Sequence, residues 1–298
     1  MSCQQQLSSK AESDICHAID QIEVMRSIEQ RYRCCDYTQD AGEVDDECRR
    51  KMVQWCFQVV EFYDIDKETV AVSLSYVDNY IGKTSDKSVL NDRKRYQLLV
   101  MTSLYLATKV YETKVIEIGL LVDLGRGTYL KEEFEEMEKD LLSTLEWRVH
   151  PPTPTTFVRQ LMHIASMMNM DEKLKSNLLR LACYQIERGL FEFDMALLRP
   201  STIAVCAILN AFDHSAFDSF PSPIKSSFIH EILRVCKIDV KTKEIEAGRH
   251  LLCHDVFPSS LYPADINADP RHPSMYTSGG SIRHSPICVG RQTQRLSL

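Results

Sequence analysis

The sequence lacks the long apolar runs of a membrane protein. None of its 298 residues lies in an uninterrupted apolar stretch of about 18 residues, the minimum for a membrane-spanning helix. The first ten residues contain neither an apolar core nor a small-residue cleavage site, so no secretory signal peptide is predicted. We therefore expect an intracellular protein without a membrane partner.

Signatures of disulfide, metal and enzyme chemistry are also scarce. The eleven cysteines form no Cys-x-x-Cys pair, and several lie within apolar helical patterns that predict buried thiols: Cys56, Cys183, Cys206 and Cys236. His250, Cys253 and His254 fall within one helical turn, but no matching cluster completes a four-coordinate metal site. Neither a Gly-x-Ser-x-Gly elbow nor a phosphate-binding loop is present. The sequence predicts no metal, no cofactor and no active site.

Positive charge is in short supply as well. Thirty-five Lys and Arg face 42 Asp and Glu, for a net charge of −7, which disfavours a protein that wraps nucleic acid. Two basic clusters, 49–51 and 93–95, are interpreted as solvated helix faces, with nuclear-import patches as the alternative. We expect no nucleic-acid partner.

Helical periodicity is what the sequence does have. No stretch shows the two-residue alternation and Asn-Gly or Asp-Gly turns of β-hairpins. The pattern predicts helices over residues 14–33, 45–62, 67–82, 89–110, 114–121, 130–147, 154–168, 171–188, 199–212, 222–235 and 239–252. We therefore predict an all-α protein.

Residues that start or end helices, together with a change in composition, divide the predicted helices into domains. Thr128 is the expected N-cap of one helix, and Pro200 opens another. The run Pro151-Pro-Thr-Pro154 predicts an extended seam between two bundles. Prolines, serines and the absence of Asp, Glu and Lys after residue 269 predict a disordered tail. The expected boundaries are 1–44 for an N-terminal extension, 45–152 and 153–255 for the two bundles, and 256–298 for the tail.

Lys109 stands out among the charged residues. It follows the segment 98–107, which is apolar on every face apart from Thr102 and Ser103, so that helix is expected to run through a core and to end with a lysine at the core's edge. Because an unpaired ammonium is costly to bury, this lysine requires a partner.

Several motifs in order resemble the cyclin box. They are Arg49-Arg-Lys-Met-Val-Gln-Trp55, Tyr76-Val-Asp-Asn-Tyr80, Leu106-Ala-Thr-Lys109 with Glu112, Met137-Glu138, and Leu145-Glu-Trp-Arg-Val-His-Pro-Pro-Thr-Pro154. Their spacing is similar to that of A/B/D-type cell-cycle cyclins over residues 45–155, and residues 198–209 resemble the C-terminal cyclin fold. The resemblance implies two consecutive five-helix cyclin folds, preceded by an N-terminal helix at 14–33 and followed by the tail.

The resemblance also implies a binding site for a cyclin-dependent kinase. Lys109 and Glu138 would stand side by side and hydrogen-bond the kinase backbone; the alternative is a pair of unrelated surface residues. Matching positions give an apolar docking surface of Leu106, Val110, Leu142, Leu145, Trp147 and Val149. Trp147 is the expected anchor, with a core tryptophan as the alternative.

The resemblance implies an internal ion pair that is retained in this sequence and a substrate-docking patch that is altered. Arg49 and Asp78 would form an internal ion pair. The patch that in cyclins docks Arg-x-Leu substrates is altered, with Cys48, Lys51, Met52, Trp55, Gln58 and Tyr96 at its positions. Because Lys51 is basic and Gln58 is neutral where cyclins have a carboxylate, attraction for an incoming arginine is weakened, and Trp55 is interpreted as chiefly core.

The expected function is that of a non-catalytic subunit that binds and activates a cyclin-dependent serine/threonine kinase in cell-cycle progression, located in the nucleus, the cytoplasm or both. Ser285, before Pro286, is a candidate site of proline-directed phosphorylation. Ser222-Pro223 is a second candidate, for which a helix start is the preferred interpretation. Residues 1–45 contain no Arg-x-x-Leu destruction motif, and the Leu-x-Cys-x-Glu signature of D-type cyclins is absent. The alternatives are a cyclin-fold scaffold or transcription-linked adaptor and, third, an enzyme with an unfamiliar helical site.

Overall fold

The computed structural model describes residues 3–37, 42–167, 170–214, 222–239 and 241–253. Every regular element in these ranges is helical, which confirms the all-α prediction. Within them, no helix combines the length and the apolarity needed to cross a membrane. The predicted disordered tail and Ser285 lie outside the described residues.

The described chain folds as two compact units. The middle unit comprises residues 34–151, and the outer unit combines residues 3–33 with residues 152–253. Each unit contains five main helices and one helix of a single turn, and the outer unit has the N-terminal helix in addition. Two five-helix bundles with a preceding helix are the predicted fold class.

The N-terminal helix α1 is longer than the sequence pattern predicted. It spans Cys3–Glu29 and continues into a 3-10 turn at Gln30–Tyr32. Ile15, Ala18 and Ile22 are buried at the spacing of one helix face, which packs on helices of the outer unit. Burial of this face explains why the helix belongs to that unit.

The middle unit contains helices α2 to α7, and its hydrophobic core lies around α3 and α5, which pack along each other. Their bounds are Asp46–Phe62 (α2), Glu68–Lys83 (α3), Ser88–Asn91 (α4), Arg93–Tyr111 (α5), Ile118–Leu124 (α6) and Lys131–Thr144 (α7).

Several helix boundaries in the middle unit differ from the predictions: α6 begins at Ile118 and not at residue 114, and α7 ends at Thr144 and not at residue 147. The single helix predicted over 89–110 is divided into α4 and α5, because the Asp92 side chain accepts hydrogen bonds from the backbone N–H groups of Lys94 and Arg95. Thr128 as an N-cap was wrong: α7 is capped at Leu130, whose N–H donates to the Glu133 carboxylate over 2.7 Å.

The outer unit contains α1 and helices α8 to α13. The bounds of the latter are Pro154–Met167 (α8), Glu172–Gly189 (α9), Phe193–Ala196 (α10), Pro200–Phe212 (α11), Ser222–Cys236 (α12) and Lys243–Cys253 (α13). The single-turn helix α10 was not predicted.

Helix α11 forms the centre of the outer unit, with every residue from Ser201 to Phe212 buried. Pro200 lies at its first turn, as predicted. The buried carboxylate of Glu29, at the end of α1, accepts hydrogen bonds from Ser201 N–H and Ser201 Oγ over 3.1 and 2.9 Å. This contact satisfies a backbone donor of α11 and ties α1 to the same unit.

Candidate partner-binding site

A short ion pair joins the last turn of α5 to α7. Lys109 Nζ lies 2.6 Å from Glu138 Oε1, and the two side chains are 38% and 15% exposed. The pair therefore lies at the edge of the core, where the apolar pattern of α5 predicted its lysine. Both groups retain hydrogen-bonding capacity for a second molecule, because an ammonium has three donors and a carboxylate has two acceptor oxygens.

The charge of Lys109 is stabilised by its surroundings. Partial burial lowers the pKa of Lys109, but the hydrogen bond and the charge of Glu138 raise it further, so that it lies above its ordinary value. The ring of Tyr105 lies beneath the ammonium, 4.9 Å from Nζ to the ring centroid. The lysine is therefore cationic throughout the physiological pH range and is held in position by two neighbours.

Trp147 projects from the turn that follows α7. Glu146 and Trp147 have φ angles of 55° and 59°, and Trp147 N–H donates to Leu142 O over 3.0 Å. The Trp147 side chain is 73% exposed. The alternative of a core tryptophan is therefore wrong, because the left-handed turn directs the ring away from the core. A bulky residue in this conformation carries a conformational cost of about 1–3 kcal/mol.

The other members of the expected docking surface divide into two groups. Leu106 and Leu145 are only 3% and 2% exposed, so the expectation that they contribute to an outer surface was wrong. Leu106 lies in α5 and Leu145 directly follows α7, and both leucines belong to the buried core of the middle unit. Val110, Leu142 and Val149 are half-buried and lie where the core meets solvent.

Two aromatic residues near the pair were missed by the sequence reasoning. Tyr111, two residues after Lys109, is 43% exposed, and its ring meets His150 edge to face at 5.6 Å between centroids. The available signal was an aromatic residue in the last turn of α5 and a histidine just after the Trp147 turn. We use the name Lys109 face for the Lys109–Glu138 pair together with the exposed side chains of Tyr111, His150 and Trp147.

Arg49 and Asp78 form a second, very different ion pair in the middle unit. The guanidinium donates two hydrogen bonds to the carboxylate, over 2.6 and 3.0 Å, and both side chains are buried. Tyr37, which the sequence reasoning missed, donates its hydroxyl to Asp78 Oδ1 over 2.7 Å. Burial and the charge of Asp78 raise the pKa of Tyr37 well above its ordinary value. This network links α2, α3 and the segment before α2.

The residues of the altered docking patch do not form an apolar surface. Four of them are buried, namely Cys48, Met52, Trp55 and Tyr96. Gln58 is half-buried, and Lys51 is exposed with its Nζ 2.6 Å from Glu47 Oε1. The core interpretation of Trp55 agrees with its exposure of 1%. Arg49, assigned to a solvated basic cluster by sequence, is instead buried.

The cysteines whose side chains the structure describes form no disulfide bond with one another. Cys56, Cys206 and Cys236 are buried as predicted, whereas Cys183 is half-buried. Burial raises the pKa of Cys56 and of Cys236 to about 12. No group of metal-ligating side chains occurs in the described ranges; His254 and the side chain of Cys253 lie outside them.

Comparison with known proteins places this architecture in a family. Residues 17–150 match the model described as "Cyclin, N-terminal domain". The chain is 30% identical to cyclin-B2-1 of Oryza sativa subsp. japonica over 176 residues, 59% of this chain and 39% of that protein. It is 30% identical to cyclin-A3-1 of the same organism over 208 residues, 69% of this chain and 53% of that protein. The chain thus spans about two fifths to one half of these relatives' length.

A solved structure supports the fold. The X-ray structure of a viral cyclin from herpesvirus saimiri aligns with a TM-score of 0.58 at 18% identity, covering 79% of this chain and 96% of that one. At this identity the likeness concerns the fold alone. The match to the cyclin N-terminal domain and the B-type and A-type relatives show that the chain belongs to the cyclin family.

Proposed function

We propose that this chain is a regulatory subunit that binds and activates a cyclin-dependent serine/threonine kinase, and thereby controls cell-cycle progression. The chain itself has no catalytic role in this proposal. The proposal extends from family membership to a partner and an activity, and we place the activity in the nucleus, the cytoplasm or both.

The observation that carries the proposal is the Lys109–Glu138 pair with its exposed surroundings. A buried ion pair is satisfied within its own chain, but this pair is one-third exposed on the lysine side. The ammonium can donate to a carbonyl of a partner backbone, while the carboxylate accepts from an N–H. Each charge also offsets the desolvation cost of the other when the interface closes.

Trp147 supports the same site by its exposure. A large aromatic side chain in solvent is unfavourable for an isolated protein, whereas aromatic anchors contribute strongly at the centres of interfaces. In the proposal, Trp147 inserts between side chains of the kinase, and the half-buried Val110, Leu142 and Val149 surround it. The buried Leu106 and Leu145 support this surface from beneath.

Helix α1 is the second proposed contact. Its buried face is already occupied by the outer unit, so a kinase would meet the opposite face. Val24, on that face, is 59% exposed. We propose that this part of α1 is a contact of its own with the kinase.

Activation in this scheme is a shift of population. The chain binds the active arrangement of the kinase more tightly than the inactive one, which moves the C-helix of the kinase inward and assembles the kinase's own lysine–glutamate pair. A tenfold change in population requires about 1.4 kcal/mol of differential binding. Transfer of phosphate is then performed by the partner. Substrates or inhibitors carrying Arg-x-Leu motifs would dock weakly, because the altered patch is largely buried.

Affinity capture tests the proposal. The wild-type chain and the variant Lys109→Ala/Glu138→Ala are immobilised, and histone H1 kinase activity is measured in both eluates. We expect activity with the wild type and at least a tenfold loss with the variant. A matched control is Glu231→Ala/Arg234→Ala, which removes an exposed ion pair of α12 with a 2.5 Å separation and should retain full activity.

Equal activity of all three eluates would contradict the assigned site. Absence of kinase activity from every eluate would contradict the proposed function and favour a scaffold or adaptor built on the same fold.

A further inference from the structure

Two Ser/Thr-Pro pairs occur in the described residues of the outer unit, and both stand at a helix start. Thr153 precedes Pro154 at the beginning of α8, and Ser222 precedes Pro223 at the beginning of α12. A hydroxyl residue directly before proline is the acceptor that proline-directed protein kinases require. The two positions differ sharply in accessibility.

Thr153 is unsuited to modification. It is 4% exposed, and its Oγ1 accepts a hydrogen bond from Thr156 N–H over 3.0 Å. Its hydroxyl therefore caps the first turn of α8 and lies within the packed unit. Phosphorylation at this position would require the helix start to unfold.

Ser222 and Pro223 are both exposed. Ser222 is the first residue of α12, and the ends of helices fray. A kinase can thus engage the residue without disturbing Phe228, the first fully buried residue of this helix.

Lys225 provides a cation for a phosphate on Ser222. Residues three positions apart lie on the same face of a helix, with Cβ atoms about 5–6 Å apart. Lys225 Nζ donates to Phe212 O over 2.9 Å, lies 3.4 Å from Asp213 Oδ1 and stands 5.6 Å from the centroid of the Phe212 ring. Asp213 also binds Arg249, so this carboxylate would keep a cationic partner if Lys225 turned away.

We propose that Ser222 is a phosphorylation site for a proline-directed protein kinase and that the phosphate binds Lys225. In the reaction, the bond between the γ-phosphorus of ATP and its bridging oxygen breaks, and a bond from phosphorus to Ser222 Oγ forms. The hydroxyl proton passes to the base of the kinase, and ADP leaves. The added negative charge is favoured near the N-terminus of a 15-residue helix.

A structural consequence follows for the end of α11. Because Lys225 donates to Phe212 O, the last residue of α11, its movement to the phosphate removes that contact from the α11 terminus. Phosphorylation would therefore alter the junction between the two helices. This inference does not rest on the proposed kinase activation, because any proline-directed kinase can supply the reaction.

The experiment uses the full chain, ATP and a separately purified, active proline-directed kinase, followed by peptide mapping by mass spectrometry. A synthetic peptide of residues 216–230 serves as the substrate control. We expect phosphate at Ser222 in the folded chain and at least tenfold less at Thr153. Ser222→Ala should reduce labelling of that peptide region to background, whereas Ser226→Ala, which changes a nearby exposed serine, should leave Ser222 labelling unchanged.

Labelling of the synthetic peptide without labelling of Ser222 in the folded chain would overturn the proposal, as would absence of labelling in both. The role of Lys225 is tested by the second pKa of the phosphate, measured by ³¹P NMR. Lys225→Gln should raise that pKa by about 0.3, whereas Lys241→Gln should not. An unchanged pKa in the Lys225 variant would overturn the phosphate–lysine contact.

Discussion

Two of the ion pairs in the middle unit, Arg49–Asp78 and Lys109–Glu138, differ in burial, in hydrogen bonding and in exposure to solvent. Arg49–Asp78 is buried and bidentate, and Asp78 also accepts a hydrogen bond from the Tyr37 hydroxyl. These hydrogen bonds are therefore made within the chain. Lys109–Glu138 is joined by one contact and remains open to solvent on the lysine side. The difference supports a helix-orienting role for the first pair, and it supports the proposal that the second pair presents donors and acceptors to another molecule.

The largest loss of stability is expected from a substitution that breaks the buried ion pair. Asp78→Asn leaves the Arg49 guanidinium without its counter-charge in a buried site, which should reduce the free energy of unfolding by about 3–5 kcal/mol. Glu138→Gln, the matched change in the exposed pair, should cost about 0–1 kcal/mol. Urea unfolding of both variants measures the comparison. Equal losses would contradict the assignment of a structural role to one pair only.

The two tryptophans extend the comparison to apolar side chains. Trp55→Ala should cost about 3–5 kcal/mol of unfolding free energy, because it leaves a cavity in the core. Trp147→Ala should change stability by less than about 0.5 kcal/mol, because its ring is already exposed. In the proposed interface the same Trp147 change should weaken kinase binding by about 2 kcal/mol or more. Titration of a purified kinase against both variants completes the test, and a stability loss at Trp147 equal to that at Trp55 would refute it.

A smaller effect on stability is expected from the titration of Tyr37, which belongs to the buried network. The pKa of Tyr37 is higher in the folded chain than its value of about 10 in the unfolded chain. The folded state therefore retains this proton at pH values where the unfolded chain has lost it. The stabilisation is fully present below about pH 10 and declines as the pH rises above that value.

The check is the slope of unfolding free energy between pH 9 and pH 11.5. Wild type should lose stability more steeply than Tyr37→Phe, which has no phenol at this site. Parallel slopes for the two proteins would mean that Tyr37 titrates alike in the folded and unfolded chains.

Helical periodicity predicted the fold class and the approximate positions of most helices, because the spacing of apolar residues reflects which face of each helix is buried. It could not divide the predicted helix 89–110, since the break depends on a side-chain cap by Asp92. Tyr37 was missed for a related reason: its segment has no periodic pattern, and its role arises only when Asp78 is folded against it.

The site was predictable only through the resemblance to cyclins. Residues 109 and 138 are separated by 29 positions, and no local pattern indicates that α5 and α7 bring them within 2.6 Å. The resemblance also assigned Leu106 and Leu145 to the docking surface, but both side chains are buried. A position in a family motif therefore does not determine whether a side chain is exposed. The outward direction of Trp147 depends on a left-handed turn that its residue type does not predict.

The most direct measurement is kinase activation by the exchanged pair Lys109→Glu/Glu138→Lys. This variant retains one cation and one anion in contact, so its fold and stability should match wild type within about 1 kcal/mol. The donor and the acceptor, however, occupy exchanged positions relative to a partner backbone. With a purified cyclin-dependent kinase and saturating histone H1, we expect at least a tenfold loss of activation at equal protein concentration. Full activation by the folded exchange variant would contradict the claim that Lys109 and Glu138 meet the kinase directly.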